Sequence, residues 1–252
     1  QRSVTVPGGE GAADLKALKA EVAAAVNAEL EAAGYPKSAD PAAIVRKALA
    51  PAPASRRQPA LTRIEDARAL LAAAERVEAA AAVRLASRFL ALTAVRLASV
   101  RGLTWAEIEE LDGPAPLWRI PAARMKLKRA RKADPAAEHL VPLSAPAAEI
   151  LREARDHPAG SGNIVFTGRG GGPLSERAIG DLYAAAGFAG RHVPHGWRAT
   201  FSTVLNEAHP ENRAAIDQAL GHAPKDKVEA AYNRATHLEL RRQLFERWAD
   251  LL

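Results

Sequence analysis

The chain has 252 residues, 48% of them apolar, and its 35 basic against 29 acidic side chains give a net charge of +6. That length suits one large domain or a domain with a smaller companion, and apolar runs such as Ala79–Val83 and Phe89–Val95 are far too short to span a bilayer. The absence of cysteine excludes disulfides, thiolate metal sites and cysteine nucleophiles, and fits a reducing, cytoplasmic setting.

In chain order, residues 14–33 read as a helix with Leu15, Leu18, Val22, Val26 and Leu30 on one stripe and Gly34 placed to stop it. The only methionine is Met125, so Gln1 is expected to follow a processing site or boundary, with the natural protein extending further toward its N-terminus. Ala50-Pro51-Ala52-Pro53-Ala54-Ser55 reads as a proline-stiffened linker and marks the expected domain boundary. Thr62 and Glu65 have the spacing of a capping box, which predicts a helix with Ile64, Leu70, Leu71 and Val77 inward. A second apolar helix is expected over roughly 81–102, carrying Arg96 near its C-terminal end. Between about 106 and 144 short runs such as Leu117–Ile120 and His139–Leu143 replace the helical period and predict a small antiparallel sheet. A helix over about 145–155, a short strand at Asn163–Phe166 and further helices complete a mainly α fold with a small sheet. The run Gly168–Gly172 lacks the Lys-Ser/Thr of a nucleotide phosphate loop and reads as a flexible turn.

Charge is concentrated in one place. Arg124, Lys126, Lys128, Arg129, Arg131 and Lys132 follow one another with no acid before Asp134, in the connection between the last two predicted strands. The remainder of the chain is close to neutral. A basic prong on a neutral body points to a polyanionic partner, most simply nucleic acid.

His195 and Arg198 lie three residues apart at the start of a predicted helix, on one face and near the partial positive charge of its N-terminus. Taken singly, each candidate has a plainer explanation. Arg96 could be half of a buried ion pair, Leu220-Gly221-His222 a helix C-cap, and Tyr232 a core tyrosine. Taken in order, Arg96, Lys126, His195, Arg198, His222 and Tyr232 are the side chains needed to bind, polarise and attack a phosphodiester. Two guanidiniums can clamp phosphate oxygens, two imidazoles can donate hydrogen bonds or move a proton, a lysine can protonate a leaving oxygen, and a phenol can attack.

These residues stand in "ALTAVRLASVRGLTW", "IPAARMKLKR" before "VPLS", "HGWRATFSTVLNEA", "LGH" and "AAYNRA" before "RRQLFERWADLL". Together the segments resemble the tyrosine recombinases, in particular the integrases of prophages and integrative elements. The resemblance runs from about Arg57 to the C-terminus and includes the separations of 24 residues from Arg198 to His222 and ten from His222 to Tyr232. It implies the DNA breaking-rejoining catalytic fold over residues 55–252. Residues 1–54 would be the last helix of a core-binding domain with its linker.

The resemblance further implies that Tyr232 attacks a scissile phosphate to form a 3′-phosphotyrosine link and release a 5′-hydroxyl. Arg96 and Arg198 would hold the non-bridging oxygens and His222 would donate to them. His195 would assist proton transfer from the tyrosine, and Lys126 would protonate the leaving oxygen. No metal, ATP or other cofactor is implied. The expected partner is duplex DNA, bound by a homo-tetramer with accessory DNA-bending factors, the isolated chain being a monomer. The C-terminal stripe of Leu240, Leu244, Trp248 and Leu251 could pack in trans on a neighbouring protomer or in cis.

One departure from the family stands out. Many members carry an acidic residue three positions after the first arginine, where it supports that arginine, and this chain has Ser99. Three rivals stay open at the level of sequence, of which Ser99 bears on the second. They are a type IB topoisomerase, an inactive DNA-binding relative, and a helical scaffold matching by coincidence.

Overall fold

The computed structural model of the chain describes residues 12–34, 58–127, 129–134, 137–157, 162–222 and 237–252. It divides into two units, the first ending at Arg56 and the second beginning at Arg57. The predicted linker Ala50–Ser55 lies outside the described residues. In the first unit, helix α1 (Ala12–Ala32) is followed by Gly34 at φ +84°, a left-handed position that suits glycine. Val22 and Val26 of its predicted stripe are exposed.

The second unit is built around α3 (Ala81–Thr93), whose Leu85, Ala86, Phe89, Leu90 and Ala91 are all buried. A helix apolar on nearly every side must be covered on nearly every side. Here α6 (Ala145–Asp156), α7 (Ala178–Tyr183) and the C-terminal α10 (Leu238–Leu251) pack around it. Phe89 lies 5.5 Å from both Trp118 and Phe166, which joins the helical layer to the sheet. Helix α2 (Ile64–Glu75) buries Leu70, but Arg63 stands at its N-cap without a side-chain cap bond. The expected capping box does not form.

The sheet has three antiparallel strands in the order β1 (Ile108–Glu109), β2 (Leu117–Ile120) and β3 (His139–Pro142), with Trp118 opposite both Ile108 and Val141. The mainly helical class with a small antiparallel sheet is therefore as the sequence implies. The strand expected at Asn163–Phe166 is reduced to a single bridge between Ile164 and Thr104, beside a bond from the Val165 N–H to the Leu103 carbonyl. The glycine run closes as a turn in which Gly170 and Gly171 both have φ +80°.

The long helix expected over 81–102 is interrupted. Ala94 is left-handed at φ +47°, Arg96 is extended, and a five-residue helix α4 (Leu97–Arg101) starts after it. Arg96 therefore caps the beginning of a short helix and does not end a long one. An alanine in that conformation costs roughly 1–2 kcal/mol. The break turns the Ala94 carbonyl out of the helix ladder, and a distant arginine uses it.

Helix α10 packs in cis. Leu244, Phe245 and Trp248 are buried, with Leu240 and Leu251 partly so. Phe201 of α8 (Gly196–Ala208) lies 5.4 Å from both Phe245 and Trp248, and the Trp248 indole donates to the Ala91 carbonyl at 2.8 Å.

Candidate active site

Arg198 is the hub of the site. It lies in the first turn of α8, is only 6% exposed, and reaches two segments distant in sequence. Nη1 donates to the Ala94 carbonyl at 3.2 Å, while Nη2 donates to the Leu220 carbonyl at 2.7 Å and approaches His222 Nε2 at 2.9 Å. Burial, followed by the like charge of Arg96, brings the Arg198 guanidinium down to about 10. The break before Arg96 thus serves two purposes: it turns Arg96 toward the same site and supplies the oxygen that fixes Arg198.

His195 caps α8, with its residue surface open to solvent. Partial desolvation of its ring lowers its pKa, and the charges of Arg198, Arg96 and Lys126 lower it further. The surrounding cations and partial burial thus disfavour the charged form of His195. Lys126, exposed on the segment between β2 and β3, is close enough to contribute to that field.

His222 follows α9 (Arg213–Ala219) after the left-handed Gly221 at φ +64°. An arginine can only donate, so His222 Nε2 accepts from Arg198 and the ring proton sits on Nδ1. There Asp217 Oδ1 lies at 3.2 Å. A second histidine, His139 on β3, is buried and donates from Nε2 to the Ala219 carbonyl at 3.2 Å, which braces the turn before His222. Burial, then the charges of Arg241, Arg198 and Arg96, push His139 down to about 3. Neither Asp217 nor His139 is apparent from motif spacing. The only signals are an acid one helical turn and a half before His222 and a polar residue at an inward strand position.

Five of the six candidates, Arg96, Lys126, His195, Arg198 and His222, are thus linked by hydrogen bonds or by mutual charge. Tyr232 lies outside the described residues. Of the chain's three tyrosines, Tyr183 is sealed in the core. Its hydroxyl accepts from the Trp197 indole at 2.7 Å and bonds Ser87 at 3.0 Å, and burial pushes it up to about 12.

The basic prong is not uniform. Residues Arg129–Lys132 form a single helical turn, α5, in which Arg131 and Lys132 are exposed. Lys128 lies outside the described residues. Arg124, expected to face DNA with them, is instead half-buried and paired with Glu107. Among the described residues there is no cluster of three histidine or acidic side chains able to hold a metal.

Residues 61–239 match the profile of the phage integrase family. The chain is 38% identical to prophage integrase IntA of Escherichia coli (strain K12) over 58% of this chain and 34% of that protein. It is 31% identical to the integrase of enterobacteria phage P4 over 60% of this chain and 36% of that protein. The chain thus spans about a third of the length of these curated relatives. Its fold is similar to that of a lambda integrase tetramer bound to a Holliday junction, with TM-score 0.54 and 17% identity over 86% of this chain and 60% of that one.

Proposed function

Because the chain belongs to the phage integrase family, we propose that it is the catalytic part of a site-specific recombinase that cleaves and rejoins duplex DNA through a 3′-phosphotyrosyl link. The observation that carries this reading is the convergence on one surface of Arg96, Arg198, His195 and His222, with Lys126 in electrostatic range.

Tyr232 Oη attacks the phosphorus as the bond to the 5′-oxygen breaks. The phenolic proton passes to His195, which stands open to solvent at the start of α8. Lys126 protonates the departing 5′-oxygen. Arg96 and Arg198 hold the non-bridging oxygens as charge grows in the transition state, and a preorganised clamp needs little rearrangement at that moment. His222, oriented through Nδ1 by Asp217, stands beside Arg198 to contact the same oxygens. The phosphotyrosine conserves the energy of the phosphodiester, so a 5′-hydroxyl from a different strand can reverse the step without ATP. Two sites and four protomers are needed for exchange, and this work takes place on DNA in the cytoplasm.

The test is covalent trapping on a pool of nicked duplexes with randomised centres, in EDTA, resolved on a denaturing gel. Wild type is expected to form a protein–DNA band that Tyr232→Phe lacks. Binding without any band would favour an inactive DNA-binding relative.

A further inference from the structure

Arg124 sits two residues before Lys126, yet its guanidinium is engaged within the protein. Nη1 pairs with Glu107 Oε1, and Nη2 donates to the Ser99 carbonyl at 2.6 Å. Gly102 lies against it so closely that a Cβ there would meet Nη2 at 2.9 Å. Glu107 is itself 8% exposed, and its other oxygen accepts the indole N–H of the fully buried Trp118 at 3.0 Å. A buried carboxylate is strongly held to its partner, because either charge left alone would be desolvated without compensation. The Ser99 carbonyl belongs to the short helix α4, whose last carbonyls lack intrahelical donors. Two segments are thereby tied together. Ser99 is three residues beyond Arg96 on the helix that Arg96 opens, and Arg124 ends the turn that delivers Lys126.

We propose that the Glu107–Arg124 pair is a positioning clamp that fixes the Lys126 segment against the Arg96 helix. The proton donor and the phosphate-holding arginine then meet the same phosphate. The inference rests on the roles given to Lys126 and Arg96 above. It makes Arg124 a positioning residue, with its charge spent on Glu107 and not on DNA.

The experiment uses a nicked duplex recovered by trapping from the random pool. It is synthesised with either an ordinary phosphodiester or a 5′-bridging phosphorothiolate at the scissile position. A departing thiolate needs no proton, so the second substrate bypasses the leaving-group acid. Arg124→Ala and Arg124→Lys are measured beside Lys126→Ala and Arg96→Ala. The lysine variant keeps a charge beside buried Glu107 but cannot span to Ser99, which guards against loss of the fold.

Both Arg124 variants are expected to cleave the phosphodiester about 10- to 100-fold more slowly. Most of that loss should be recovered on the phosphorothiolate, as for Lys126→Ala and unlike Arg96→Ala. The salt dependence of binding should stay unchanged. A salt slope lowered by about 1 with normal cleavage at saturation would make Arg124 a DNA-binding residue and overturn the clamp. Recovery of Lys126→Ala without recovery of either Arg124 variant would overturn the clamp and leave the Lys126 role standing. If Lys126→Ala itself failed to recover, that role would fall and the clamp with it.

Discussion

Arg198 and Arg131 carry the same charge in opposite settings. Arg198 is buried, spans Ala94, Leu220 and His222, and stands beside a second arginine that makes its charge harder to hold. Arg131 projects into solvent from one helical turn next to Lys132. A buried cation in a fixed place gains most when phosphate charge develops beside it, which suits the catalytic role proposed for Arg198. An exposed cation gains from any phosphate within reach, which suits the binding role proposed for the prong. Arg124 shows that sequence proximity does not settle which kind a residue is, because it lies within the prong and is spent inside the protein.

The sharpest way to break this contrast is to remove Arg198. Arg198→Ala should slow single-turnover cleavage at least ~100-fold, about 3 kcal/mol of transition-state stabilisation, while DNA affinity changes little. Arg198→Lys should do nearly as badly, since one ammonium cannot serve Ala94, Leu220 and a phosphate together. A large loss of affinity with a normal rate would place Arg198 with the prong.

The rigidity of the buried side can be tested at Gly196. A Cβ there would stand 2.6 Å from the Pro59 carbonyl oxygen and 2.9 Å from His192 Cε1. Gly196→Ala should therefore lower stability by roughly 1–3 kcal/mol, although alanine is the better helix former. Thermal denaturation checks the sign, and a raised Tm would mean that this wall of the site yields.

Its dryness can be read from pH. Burial holds His139 at about 3 and His192 at about 4, both below the ordinary histidine value of 6.5. As pH falls below about 6.5 the unfolded chain gains these protons and the folded one does not. Stability is thus complete above that value and declines by about 1.4 kcal/mol per pH unit for each histidine until its folded value is reached. Urea midpoints at about pH 7.5 and about pH 5 should converge in His192→Gln relative to wild type. An equal decline in both would show that His192 takes up its proton in the fold.

The smallest effect is expected on the exposed side. Replacing Lys128, Arg129 and Arg131 with alanine should flatten the salt dependence of DNA binding by ~0.9 for each phosphate left without its cation, while the rate at saturating DNA stays unchanged. An unchanged slope would show that the prong faces away from DNA.

Much of this division is legible in the amino acids. Short runs that replace the helical period located β2 and β3, and the apolar stripe of α10 identified the face that now covers Phe201. The basic connection between strands was visible as a charge run. What escaped is what tertiary contacts impose. Nothing in Leu92-Thr93-Ala94-Val95 signals a helix break, since no glycine or proline stands there, and the carbonyl of left-handed Ala94 meets Arg198 from 104 residues away. Arg124 could not be told from its basic neighbours because Glu107 reaches it only when β2 folds back. Thr62 to Glu65 had the spacing of a cap, but α2 starts one residue too late to use it.

On the proposed mechanism the site built around Arg198 serves the phenol of Tyr232. The most direct measurement is to digest the trapped protein–DNA complex and identify by mass spectrometry the residue that carries the nucleotide remnant. Tyr232 is expected to carry it. A remnant on any other side chain, or a complex equally abundant in Tyr232→Phe, would contradict it.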